Sequence, residues 1–215
     1  MFRLGNFDIV SLIIRAIAVL LAISVHEMAH GFAAYFLGDR TAKYMGRLSL
    51  NPLRHLDPIG SLCLLFFGFG WAKPVMFNPY YFKKPKRDTA LTALAGPVSN
   101  FIIAFFALLI FKLLSLTPLF LSGGFLANFA ANLLIAIVSL NIGLGTFNLI
   151  PIPPLDGSKI FLSLLPPRLY NDIMRYEHLG WLILVFGLAT GVLDPVIGTV
   201  GNLILRLLMF LVGGV

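Results

Sequence analysis

Residues 9–37 read IVSLIIRAIAVLLAISVHEMAHGFAAYFL, and this stretch decides what kind of protein the chain is. Apart from Ser11 and Arg15 its first half is apolar, and the run exceeds the roughly 20 residues that cross a hydrocarbon core as a helix. Its second half carries His26-Glu27-Met28-Ala29-His30. A charged residue at mid-bilayer costs at least about 2.5–3.5 kcal/mol even on insertion scales. Three ionisable groups within five residues of an apolar helix therefore need a common partner. A metal ion supplies one.

The spacing suits that partner. Residues four apart lie on one helical face, so both imidazoles can reach a single ion, while Glu27 is offset enough to act on water beside the ion without ligating it. The chain has four His, and Glu occurs only at positions 27 and 177. Shuffling them produces HExxH by chance in about 0.05% of cases, which makes the pattern a strong signal. A catalytic zinc ordinarily takes three protein ligands and keeps an open position. Asp8, Asp39, Asp57, Asp88, Asp172, Asp194 and Glu177 lie at segment ends or in polar loops. Asp156 directly follows a long apolar run, in Asn148-Leu-Ile-Pro-Ile-Pro-Pro-Leu-Asp156-Gly157. Its prolines forbid regular helix, and irregular backbone at membrane depth is tolerated where it lines an enclosed cavity. Alone, Asp-Gly would read as a cap or turn. Beside HExxH, Asp156 is the expected third ligand, with His55 and Asp57 as rivals.

The rest of the chain agrees with a lipid solvent. Hydrophobic residues make up 59% and charged residues 12% of the 215, against about 45–50% and 25% in soluble domains. Further apolar runs cover 93–116 and 125–150, and shorter ones 179–193 and 196–215. Residues 59–72 are apolar but only long enough for a re-entrant or interfacial element, and Gly60, Gly68 and Gly70 suit a loop. Around them, 41–50 and 71–77 read as short extended pieces, each followed by Asn-Pro. The expectation is an all-α polytopic membrane protein with about five transmembrane helices. A re-entrant or short β segment lies in its first cytosolic connection, and residues 1–215 form one membrane-embedded domain. The first run is expected to be retained, since it far exceeds a signal-peptide core. Cys63 is the single cysteine, which excludes an intrachain disulfide or a multi-cysteine metal site.

The net charge of +7 is a topology signal. Nine Lys and Arg fall between residues 38 and 89, whereas the connection between the next two spans has only Lys112 at its edge. The basic residues lack aromatic interleaving, so no nucleic-acid partner is expected. The positive-inside rule puts the first and third connections in the cytosol, the N-terminus outside and, with five spans, the C-terminus inside. His26, His30 and Asp156 then come to similar depth on the cytosolic side.

HExxH in a membrane helix, joined to Asn148, Pro151, Asp156 and Gly157 spaced as NxxPxxxxDG, resembles the site-2 protease family of intramembrane zinc metalloproteases (peptidase family M50). Gly96-Pro97-Val98-Ser99-Asn100 and the Gly46-Arg47, Asn51-Pro52 and His55-Leu-Asp57-Pro58 pieces fit the same pattern. HExxH in the first span resembles the compact bacterial subgroup, and the PDZ and CBS domains of other subgroups are not evident. The resemblance implies one zinc held by His26, His30 and Asp156, with Glu27 as general base. It also implies that Asn148 binds substrate or stabilises the oxyanion. Asn100 is a second candidate for that role, and an interhelical hydrogen bond explains it equally well.

The function this implies is hydrolysis of peptide bonds within or near transmembrane segments of other proteins, in the cell (inner) membrane. Partners would be those substrates and the lipid bilayer. The oligomeric state is not readable from the chain. Two other classes compete: a metal transporter, which would string ligands along a path between both faces, and a scaffold that binds membrane helices without cutting, which has no use for Glu27. Because an unwound substrate needs backbone partners, residues 71–77, with Pro74, are the best candidate for an exposed strand edge that holds it, and an ordinary connecting loop accounts for them equally well.

Overall fold

A computed structural model of the chain describes residues 9–55, 57–67, 73–121 and 123–213. In order, its α-helices are α1 (Ile9–Phe36), α2 (Thr41–Tyr44), α3 (Pro58–Phe67), α4 (Pro85–Ser115), α5 (Pro118–Leu121), α6 (Phe125–Asn148), α7 (Asp156–Leu162), α8 (Pro167–Arg175), α9 (Glu177–Thr190) and α10 (Asp194–Leu211). Among the described residues α1, α4, α6 and α10 are long and apolar enough to cross a membrane.

Helices α1, α4 and α6 pack on one another, and α10 lies against α6 and α4. Small side chains allow the close approach: Ala18, Ala104 and Ala107 meet Leu134, Ile137, Val138, Ile142 and Leu208 in one buried cluster. In lipid, where there is little hydrophobic gain in joining two apolar helices, such close packing and interhelical hydrogen bonds supply the association energy. The outer faces carry exposed apolar side chains at helical spacing, Ile9, Ile13 and Ile17 on α1 and Ile102, Phe106, Ile110 and Leu113 on α4. These are the faces that lipid covers.

Two expectations change. Helix α9 has 14 residues, about 21 Å at 1.5 Å per residue, short of the roughly 30 Å of hydrocarbon. It meets the α6–α7 connection where Gly180 lies against Pro153. Meanwhile α10 runs parallel to α4: Lys112 Nζ, near the end of α4, donates to the carbonyls of Val212 at 2.7 Å and Gly213 at 2.6 Å. An ammonium there satisfies carbonyls left free at a helix C-terminus. With α1, α4, α6 and α10 alternating in direction, both ends of the described chain lie on one side of the bundle. Among the described residues the fifth span expected over 179–193 is too short to cross and the opposed termini are not found, because residues 191–193 form a turn after α9.

The first long connection also differs from its expected form. Residues 41–44 coil into α2, since Asp39 Oδ1 accepts from Thr41 N at 2.8 Å and from Thr41 Oγ1 at 2.5 Å. Residues 58–67 form helix α3, while Gly68, Gly70 and Trp71 fall outside the described residues. No strand occurs among the described residues. Residues 73–78 carry no regular secondary structure, and the N–H groups of Lys73, Val75 and Asn78 go to His55, Glu27 and Asp39 rather than to a neighbouring strand. The Asn-Pro pairs open short 3-10 turns rather than end strands: Asn51 Oδ1 accepts from Leu53 N at 3.1 Å ahead of Pro52–Arg54, and Asn78 Oδ1 from Tyr80 N at 3.0 Å ahead of Pro79–Tyr81.

Candidate metal centre

The structure brings His26 and His30 of α1 together with Asp156, the first residue of α7. Their Nε2 atoms are 3.0 Å apart, and Asp156 Oδ2 lies 3.2 Å from His26 Nε2 and 3.1 Å from His30 Nε2. All three residues are buried. The other ring nitrogens are already committed. His30 Nδ1 lies 2.8 Å from the Thr92 carbonyl, which can only accept, so Nδ1 carries the proton. His26 Nδ1 donates to Asn100 Oδ1 at 2.6 Å. Each Nε2 therefore turns a lone pair toward the other and toward a carboxylate oxygen.

Three buried acceptors with no donor among them repel one another. A shared cation resolves the arrangement, and the set of two imidazoles and one carboxylate is a zinc set. A tetrahedral ion with bonds of about 2.0–2.1 Å holds its ligands about 3.3 Å apart, close to the spacing seen here. The outer partners on each Nδ1 fix the tautomer and ring plane, as metal-binding histidines require. These residues fit zinc.

Two glycines make the cluster possible. A Cβ on Gly96 would lie 2.5 Å from His30 Cε1 and Nε2 and 2.6 Å from His26 Cε1, so α4 can approach the imidazoles only without one. A Cβ on Gly157 would lie 2.3 Å from the Leu149 carbonyl oxygen and 2.5 Å from that of Ile150. Those carbonyls follow directly on α6, so the glycine lets the chain fold back and point Asp156 at α1. Lys159 Nζ stands 3.9 Å from the outer oxygen of Asp156 and over the Phe77 ring.

Glu27 is buried, and its Oε2 accepts from the backbone N–H of Val75 at 2.8 Å. The segment that provides this donor is tied down on both sides. Lys73 N donates to the His55 carbonyl at 2.9 Å, and Asn78 N donates to Asp39 Oδ2 at 2.6 Å. Val75 itself packs beside Gly31 on α1.

The remaining candidates sit elsewhere. His55 is fully buried with Nε2 donating to the Ser49 carbonyl at 2.6 Å. Asp57 Oδ1 accepts from Gly60 N at 2.8 Å at the start of α3. Neither joins the cluster. Asn148 closes α6, and its Nδ2 donates to the Leu144 carbonyl at 3.0 Å. Asn100 stands behind His26, on the side away from Asp156. Its Nδ2 donates to Asn141 Oδ1 at 2.8 Å and to the Ala22 carbonyl at 3.3 Å. Asn141 escapes sequence reading, although a polar side chain at the centre of an apolar run was the available signal.

Comparison with known proteins agrees with this geometry. The model of peptidase family M50 matches residues 120–187. The chain is 38% identical over 195 residues, 89% of both chains, to a Bacillus subtilis protein named "Putative zinc metalloprotease YwhC". Two more bear the same description. Rip2 of Mycobacterium tuberculosis is 32% identical over 73% of this chain and 57% of its own length. MJ0611 of Methanocaldococcus jannaschii is 32% identical over 74% of each. No solved structure matches. With HExxH and Asp156 converging inside a bundle of apolar helices, and with that likeness along nearly the whole chain, the protein belongs to peptidase family M50 and is a zinc metalloprotease of the membrane.

Proposed function

We propose that the protein hydrolyses peptide bonds within or beside transmembrane segments of other membrane proteins, using one zinc ion per chain. The observation that carries this reading is the convergence of His26, His30 and Asp156 beside a buried Glu27, inside helices whose outer faces are apolar. Among the described residues this is the one cluster of metal-ligating side chains. A transporter would need further ligands along a path, so the geometry supports a fixed catalytic ion instead.

His26, His30 and Asp156 would hold the zinc. When bound, the ion supplies Lewis acidity, lowering the pKa of ligated water toward about 7 and polarising a carbonyl. Glu27 takes the proton from the attacking water and returns it to the leaving amine, so one carboxylate serves as base and then acid. The Val75 N–H holds Oε2 of that carboxylate and so fixes its orientation. Asn100 and the Thr92 carbonyl keep both imidazoles in the Nδ1–H form.

Substrates would enter from the bilayer and unwind locally, since a helical carbonyl is shielded by the next turn. The basic first connection supports a cytosolic placement of the end of the bundle that bears the site, in the cell's inner membrane. Glu27→Gln should abolish cleavage of a transmembrane substrate in detergent while zinc stays at about one per chain, because the base is lost and the ligands remain. Cleavage near the wild-type rate in that variant would remove Glu27 from this role. Loss of zinc would make Glu27 a ligand.

A further inference from the structure

Behind the metal cluster, three spanning helices exchange side-chain hydrogen bonds in one unbroken line. Asn141 of α6, Asn100 of α4 and His26 of α1 are all buried, the two asparagines completely. The line starts and is braced at backbone carbonyls. Asn141 Nδ2 donates to the Ile137 carbonyl at 2.8 Å. Asn141 Oδ1 accepts from Asn100 Nδ2 at 2.8 Å, and the same Nδ2 donates to the Ala22 carbonyl at 3.3 Å. Asn100 Oδ1 is left to accept from His26 Nδ1 at 2.6 Å.

Each orientation in this line forces the next. A carbonyl only accepts, so the Ile137 carbonyl obliges Asn141 to present its NH2 there and its oxygen to Asn100. Facing that oxygen and the Ala22 carbonyl, Asn100 must spend both N–H bonds on them. Its own oxygen then demands a proton on His26 Nδ1, which leaves Nε2 as a bare lone pair at the metal position. Reversing Asn100 would set its oxygen against two other acceptors at a fully buried position, and buried polar groups left so are costly. Without Asn141, one of the two groups that forbid the reversal is gone.

We infer that Asn141, which touches neither metal position nor base, is a positioning residue: it selects the metal-binding tautomer of His26 by locking the Asn100 amide. This rests on the zinc metalloprotease reading above. Outer partners of metal-binding histidines typically account for about 10–100-fold in affinity.

The test is zinc affinity by chelator competition on the full-length protein in detergent, for wild type, Asn141→Leu, Asn141→Asp, Asn100→Ala and the Asn100→Ala/Asn141→Leu double variant. Asn141→Leu should bind zinc about tenfold more weakly. Asn141→Asp should stay near wild type, because a buried protonated carboxyl donates its O–H to the Ile137 carbonyl and accepts from Asn100 on its other oxygen. In the Asn100→Ala background, leucine at 141 should cause no further loss, since the residue acts only through that amide. An undiminished second loss would overturn the proposal in favour of plain packing, and so would unaltered affinity in Asn141→Leu. If leucine prevents folding, the isosteric Asn141→Asp decides, and tenfold weaker zinc there would refute the relay. A wild-type protein without zinc affinity would instead overturn the functional reading itself, and this inference with it.

Discussion

The backbone N–H of Val75 donates to Oε2 of Glu27 across 48 residues of sequence, at 2.8 Å. An irregular segment from the first long connection thus reaches the base of the HExxH motif directly. Residues 71–77 drew attention as a substrate-holding edge. The bond ties the described part of that segment, 73–77, to the carboxylate proposed above as the base.

Val75→Pro removes this donor and keeps an apolar side chain. We predict a fall in kcat of about 10–100-fold, the range that a hydrogen bond to a charged group of about 1.5–3 kcal/mol implies, with KM and bound zinc near wild type. Val75→Ala, which keeps the N–H, should lose far less. Steady-state kinetics with a transmembrane substrate in mixed micelles read the difference. A raised KM with kcat intact would return the segment to substrate holding.

Removing a ligand should empty the site. Asp156→Ala is expected to weaken zinc at least tenfold and to abolish cleavage with it, whereas His55→Ala and Asp57→Ala should keep zinc near one per chain. The reason is positional: Asp156 Oδ2 stands against both Nε2 atoms, while His55 and Asp57 bond within the first connection. Metal analysis after gel filtration checks it, and a zinc-free His55→Ala protein would make His55 the ligand.

Gly96→Ala separates helix propensity from site geometry. Alanine favours an interior helical position by about 1 kcal/mol over glycine. Its Cβ, however, would press on two imidazoles that Asn100 and the Thr92 carbonyl hold in place. The expected variant expresses and melts like wild type but binds zinc at least tenfold more weakly. Wild-type zinc affinity would show that the rings can shift without cost.

Four helices long enough to cross make a claim about sidedness. In a Cys63→Ser background, Lys83→Cys should be labelled by an impermeant maleimide only from the cytosolic side. Gly124→Cys, and a cysteine appended after Val215, should be labelled only from outside. If the appended cysteine labelled with Lys83→Cys, α9 would have to cross the bilayer after all.

Much of the site can be read along the chain, because what it depends on is local. Helical periodicity alone puts His26 and His30 on one face and sets Glu27 beside them. The cost of burying charge in lipid demands a shared ion, and proline after a long apolar run singles out Asp156 among the acids. Gly96 and Gly157 stand in quoted motifs, though their reason, room for imidazoles and for the carbonyls that follow α6, needs the fold.

The other features depend on which helix faces come together. Asn141 is one polar residue in an apolar run until α4 brings Asn100 within 2.8 Å of it. Val75 and Asp39 look like loop residues until the first connection folds back on α1. The side on which the chain ends follows from Lys112 meeting the last turn of α10, about a hundred residues away. Propensity and hydropathy act over a turn or a span, so the chain itself specified the helices, their solvent and the metal motif. Partners for buried polar groups are set by close packing between distant segments, and only the assembled bundle could choose them.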